Sequence, residues 1–128
     1  MIWHQKSKIT IQEKDAEYKY EVIHSTPKNG KRILWSNTKD NGFYKIEKVI
    51  FGDSGISDPI IDSNGKLLMS EHAMGIPIIK NNQCKICNAL TSEKFQKFLR
   101  SCMWSNFQID WRLFTYLKED FYEYFIEE

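Results

Sequence analysis

Three groups of residues in this chain have the types and spacing that chemistry requires. Cys84-Lys85-Ile86-Cys87 has the two-residue gap of a metal-binding or redox pair. Asp58, Asp62 and Lys66 straddle a turn, the arrangement of a nuclease that holds a metal with two acids and a lysine. Lys28, Lys31, Arg32 and Lys39 are interleaved with Trp35, Ser36, Asn37 and Asn41. That third segment offers cations to phosphates, amides to base edges and an aromatic face for stacking.

Each group is weighed against a plainer reading. Zinc needs four N or S ligands; Cys102 and His72 would have to complete the Cys84/Cys87 set, and Cys102 sits on an apolar helical stripe where it acts as a small hydrophobe. A thioredoxin-like use requires the pair at the start of a helix after a strand, with an aromatic before it. Asp62 and Lys66 flank Ser63-Asn64-Gly65, where turn residues belong anyway. Gly52-Asp53-Ser54-Gly55 follows an apolar run, but no Walker lysine follows it, and a tight turn is the better reading. His4, His24 and His72 are dispersed, and the sequence proposes no Ser or Cys paired with a base for catalysis. Trp104 to Arg112 alternates apolar and small polar residues. Here Ser105 or Asn106 caps the following helix and Arg112 pairs with Asp110, or Asn106 and Arg112 face a nucleic acid.

The elements that must position these residues change character along the chain. Lys8–Gln12 and Tyr18–Ile23 alternate polar and apolar, the period of half-buried strands. Pro27-Lys28-Asn29-Gly30 is turn chemistry, and Arg32–Trp35 returns as a strand. Lys48–Phe51 is a short apolar strand. Pro59–Asp62 and Lys66–Met69, around Ser63-Asn64-Gly65, form the strongest local hairpin signal. Gly75–Ile79 reads as a last strand, at a sheet edge because Pro77 has no N–H to give. Thr91 or Ser92 then caps a helix whose stripe is Phe95, Phe98, Leu99 and Cys102. Ile109, Leu113, Phe114 and Leu117 make a second stripe, and Asp120–Ile126 a third. The expected class is α+β: one domain over 1–128, with a mostly antiparallel sheet from a strand-rich 1–80, packed by two or three helices within 88–126.

Composition bounds the rest. At 128 residues with 41% hydrophobic content, the chain can bury one core, and it is not a disordered sequence. No run approaches the roughly 20 apolar residues of a membrane span, and Met1–Lys6 does not open a signal peptide. A reducing, cytoplasmic setting with free thiols is expected. The net charge of +1 hides an asymmetry. Residues 101–128 carry two basic and six acidic residues, while the first 48 carry ten and six. A basic face for a polyanion and an acidic back are the expectation.

From Ile33 onward the residues resemble a family. Ile33-Leu34-Trp35-Ser36-Asn37-Thr38, Lys48 through Ile56, Ile61 through Lys66, and Ala73-Met74-Gly75-Ile76 carry the likeness, together with Trp104-Ser105-Asn106-Phe107 and Asp110-Trp111-Arg112-Leu113-Phe114. This set is similar to the C-terminal target-recognition region of bacterial and viral adenine-specific DNA methyltransferases, over about residues 30–126. The resemblance implies a non-catalytic module that binds double-stranded DNA for a methyltransferase or restriction subunit, in a bacterial or virus-infected cell. It implies no cofactor here, because the methyl-donor glycine motif and the Asn-Pro-Pro-Tyr-type catalytic motif are both missing. The nucleic-acid contacts expected are Lys28, Lys31, Arg32, Trp35, Asn37, Lys39, Asn106 and Arg112. Two rival readings remain: an inhibitor domain whose acidic tail (Glu119, Asp120, Glu123, Glu127, Glu128) imitates phosphates, and a small metal-dependent nuclease. The chain alone is expected to transfer no methyl group; incubation with labelled methyl donor and duplex DNA checks this, and label in the DNA would contradict it.

Overall fold

The computed structural model of the chain describes residues 3–4, 10–11, 13–25, 32–37, 44–52, 56, 58–70, 73–102, 109, 114, 117 and 120–125, with residues 3–4, 10–11, 24–25, 32 and 102 described by backbone alone. The class is α+β. Among the described residues eight strands come first: β1 (Trp3–His4), β2 (Thr10–Ile11), β3 (Tyr20–Ser25), β4 (Arg32–Ser36), β5 (Lys48–Gly52), β6 (Ile60–Asp62), β7 (Leu68–Met69) and β8 (Ala73–Pro77). Three helices follow: α1 (Gln83–Thr91), α2 (Glu93–Cys102) and α3 (Tyr122–Phe125).

The strands divide between two sheets rather than one. The first has the order β1-β8-β5-β6 and is antiparallel throughout. The second has the order β2-β4-β3-β7, with β3 and β7 parallel. The reason lies in β5, where all five residues are buried. Successive side chains on a strand point to opposite faces. Val49 and Phe51 therefore join Ile86, Leu90 and Phe95 in a core against the helices. Ile50 joins Ile23, Met69 and Ala73 in a second core against the other sheet. The first sheet is thus the middle layer, covered on both faces.

The expected hairpin at 59–69 is the element that changes most. Its turn forms, but β6 pairs with β5 while β7 pairs with β3 in the other sheet. The loop is a sheet switch. Its path is fixed by Gly65, which adopts a φ of +72° and whose carbonyl accepts the N–H of Lys45. Pro77 also departs from expectation, because β8 lies inside its sheet between β1 and β5. The missing N–H is tolerated for a geometric reason. Ile78 N donates to Glu47 O, so the nitrogen of the preceding residue points away from β5.

The helices begin earlier than the sequence pattern suggests, since α1 starts at Gln83. Ser92 is the cap of α2: its Oγ accepts the N–H of Phe95 at 3.1 Å and donates to Ala89 O at 2.7 Å. One hydroxyl so closes α1 and opens α2, while Thr91 belongs to α1. Phe95 and Leu99 are buried and Phe98 is half-buried, as the stripe requires. The side chain of Cys102 lies outside the described residues. Of the second stripe, Ile109 and Phe114 are buried and Leu117 is half-buried; Leu113 lies outside the described residues. Phe95 meets Phe125 edge-on at 4.9 Å and Phe114 at 6.0 Å, and Phe114 meets Phe51 at 5.3 Å.

Gly65→Ala is expected to destabilise the fold by about 1–3 kcal/mol or more. The added Cβ would stand 2.5 Å from the Lys45 carbonyl carbon, and main chain cannot step aside. Gly75→Ala should cost less. Its Cβ would meet the sulfur of Met69 at 2.8 Å, the far end of a flexible side chain. Urea unfolding of the two variants measures the difference.

Candidate functional site

The basic and aromatic segment is carried by the second sheet. Trp35 lies on β4, opposite Glu21 of β3 on one side and Ile11 of β2 on the other. The indole is half-buried, and the Lys14 ammonium stands 5.4 Å from its ring centroid. Lys14 reaches it from the loop between β2 and β3. That loop is closed by Asp15, whose carboxylate accepts the N–H of Glu17 at 2.9 Å and of Tyr18 at 2.6 Å. Asn37 is exposed immediately beyond β4. Tyr20 of β3 packs edge-on against Tyr44 at 6.2 Å, with the Lys19 ammonium 5.6 Å from the Tyr20 ring.

Of the residues expected to touch nucleic acid, Trp35 and Asn37 are thus placed at the end of one strand. Arg32 is on the same strand, with only its backbone described. Lys28, Lys31, Lys39, Asn106 and Arg112 lie outside the described residues. Lys14 and Lys19 were missed by sequence reasoning. The signal that marks Lys14 is its neighbour Asp15, a turn former that ties the loop back.

The carboxylate set at the hairpin does not assemble as a metal site would. Asp62 is buried, and its Oδ2 receives the Lys48 ammonium at 2.7 Å. Both side chains are essentially dry, at 0% and 1% exposure. The same carboxylate accepts the Lys66 N–H on Oδ1 and the Leu67 N–H on Oδ2, each at 3.1 Å. Lys48 also donates to Ile46 O at 3.1 Å. Burial pushes the Lys48 ammonium below the ordinary lysine range, while the hydrogen bond and charge of Asp62 oppose that shift. Asp58 and Lys66 are exposed, and Lys66 meets Asp62 through its backbone. Asp62 is therefore the anchor of the sheet switch.

Cys84 and Cys87 lie on α1, Cys84 exposed and Cys87 half-buried. The placement discounted from sequence is the one found: a helix start, with five residues between it and the end of β8, though with Gln83 in place of the aromatic before the pair. The Cys87 thiol is pushed up to about 11 by burial, then by the charges of Cys84 and Asp58. Among the described residues no three His, Cys, Asp or Glu side chains gather closely enough to hold a metal ion. His72 and the Cys102 side chain lie outside that set. Nor, among the described residues, is any helix long and apolar enough to cross a membrane.

Comparison of the chain with protein-family models, with curated proteins and with solved structures finds no match.

Removing one partner of a dry ion pair strands the other, at about 3–5 kcal/mol. Asp62→Ala is expected to fall in that range, and Lys48→Met below it. Without Lys48 the carboxylate keeps two backbone donors; without Asp62 the ammonium keeps the Ile46 carbonyl. Denaturant midpoints of the two variants rank them.

Proposed function

We propose that the chain is a non-catalytic DNA-recognition domain of the target-specificity kind, lending site choice to a methyltransferase or restriction subunit that supplies the chemistry. The observation that supports this most is the pairing of Trp35 with Lys14 on the second sheet, with Asn37 just beyond the strand. An aromatic ring beside a cation is the unit that grips a nucleotide: the ring meets a base or sugar and the ammonium meets a phosphate. The family likeness runs through this strand, since Ile33 to Thr38 is one of its quoted segments. The charge asymmetry agrees, because the basic excess lies in the first 48 residues and the acidic excess in the last 28. The working compartment on this reading is the bacterial or virus-infected cytoplasm, where such enzymes meet DNA.

Fluorescence anisotropy with specific and scrambled duplexes at two salt concentrations tests the proposal. Affinity should fall steeply as salt rises. Lys14→Ala should weaken all duplexes alike and flatten the salt slope by about one ion. Trp35→Ala should cost about 1–3 kcal/mol of binding if a base stacks there. Arg112→Ala should instead blunt discrimination between sites by a similar amount, about 1–3 kcal/mol. No binding to any duplex at low salt overturns the reading and favours the inhibitor alternative.

A further inference from the structure

We propose that Cys84 and Cys87 form a thiol–disulfide exchange site at the start of α1, whose substrate is a disulfide bond presented from solution. Three features of the structure carry this. The two cysteines are one helical turn apart and so share a face of α1, with Cβ atoms about 5–6 Å apart. The first is exposed and the second half-buried behind it, which separates an attacking thiol from a resolving one. Finally, the helix start is electrostatically open. The first turn of α1 has no acidic residue and no side-chain cap. Asn82 turns its amide oxygen backward to accept the Ile79 N–H at 2.9 Å and so does not cap the helix. Cys84 therefore stands in the first turn, at the positive end of the helix.

The exchange balances without a further reagent. The Cys84 thiolate attacks one sulfur of the substrate disulfide, forming a mixed disulfide and releasing the first thiolate. The Cys87 thiol then loses its proton, and its sulfur attacks the Cys84 sulfur. The second thiolate leaves and the Cys84–Cys87 disulfide remains. Two protein thiols are oxidised and one substrate disulfide is reduced to two thiols, which take up the two protons.

The order of steps follows from the charges. Cys87 is held protonated in part by the charge on Cys84. Once the Cys84 sulfur is in a mixed disulfide that charge is gone, and Cys87 ionises more readily. Closure requires Cβ atoms at about 3.5–4.5 Å, closer than helical spacing allows, so the first turn must tighten. The turn is anchored in the core by Ile86, between the two cysteines, so the tightening falls on the exposed Cys84 end. A disulfide closed under such strain reopens readily.

The test uses the full chain, reduced and then mixed with oxidised glutathione or with a disulfide-linked peptide. Samples are quenched in acid, alkylated in denaturant and mapped by mass spectrometry. The expected result is an intramolecular Cys84–Cys87 disulfide, with Cys102 alkylated. Cys87→Ser should instead trap the glutathione or peptide on Cys84. Cys84→Ser should slow the reaction by about tenfold or more; its position on the surface keeps the fold, which circular dichroism checks. A faster reaction with the peptide identifies protein disulfides as the substrate, and a faster one with glutathione identifies small disulfides. The proposal is overturned if Cys84→Ser reacts as fast as the wild type, or if the folded chain reacts no faster than the urea-unfolded chain. It is equally overturned if the purified protein holds one equivalent of zinc that Cys84→Ser releases. None of these results bears on DNA binding.

Discussion

The Lys48 ammonium and the Asp62 carboxylate meet at 2.7 Å in a layer with no access to water. Dehydrating two such ions costs several kcal/mol each, and the contact offsets this only when the remaining donors and acceptors are also met. Here they are met by backbone: the Ile46 carbonyl on one side, the Lys66 and Leu67 N–H groups on the other. Those bonds join the entry to β5, the end of β6 and the approach to β7. A one-residue slip of β5 would turn Lys48 toward the Phe51 side of the sheet, where the core is apolar and aromatic. The pair thereby sets the register of the middle sheet and the point where the chain crosses to the other one. Close packing around it enforces the same arrangement, since Gly75 leaves room for Met69 and for the Lys48 stem.

The helical layer is held by different means. Its contacts are aromatic and non-directional, centred on Phe95, with rings from Phe98, Phe114, Phe121 and Phe125 around it. Polar groups enter where the helices meet: Ser92 between α1 and α2, and Gln96 in the first turn of α2, whose amide donates to Ile56 O at 2.9 Å and Leu90 O at 2.8 Å. The exposed pair of Lys85 with Glu123 at 3.5 Å joins α1 to α3, and water weakens it.

This division places the two surfaces of interest in different layers. Trp35 and Lys14 belong to the second sheet, whereas the cysteine pair belongs to α1 on the far side of the middle sheet. A nucleic acid on the one and a disulfide on the other would not compete for space. The chemistry also differs in kind. A nucleic acid would be held on the first surface by charge and stacking, which salt screens; exchange at the second would depend on sulfur ionisation, which pH governs.

Local patterns alone determined much of this protein. Alternation at Tyr18–Ile23 marked β3, the turn before Arg32–Trp35 marked β4, the spacing of Phe95, Phe98 and Leu99 marked α2, and Thr91 or Ser92 marked its cap, because each depends on neighbours a few residues away. The turn at Ser63-Asn64-Gly65 was equally legible, as was the joint presence of Trp35 and Asn37. Tertiary structure alone decided where that turn sends the chain. A turn specifies a reversal but not a partner, and β7 found β3, more than forty residues earlier, through the pairing of Val22 with Leu68 and Ile23 with Met69. The burial of Lys48 was hidden for the same reason. A lysine at the head of an apolar strand reads as solvent-facing until a carboxylate 14 residues away is brought opposite it. The start of α1 was hidden because Gln83–Thr91 buries only Ile86, Ala89 and Leu90, too thin a stripe to announce a helix. Its face is defined by what the middle sheet and the aromatic core leave to be covered.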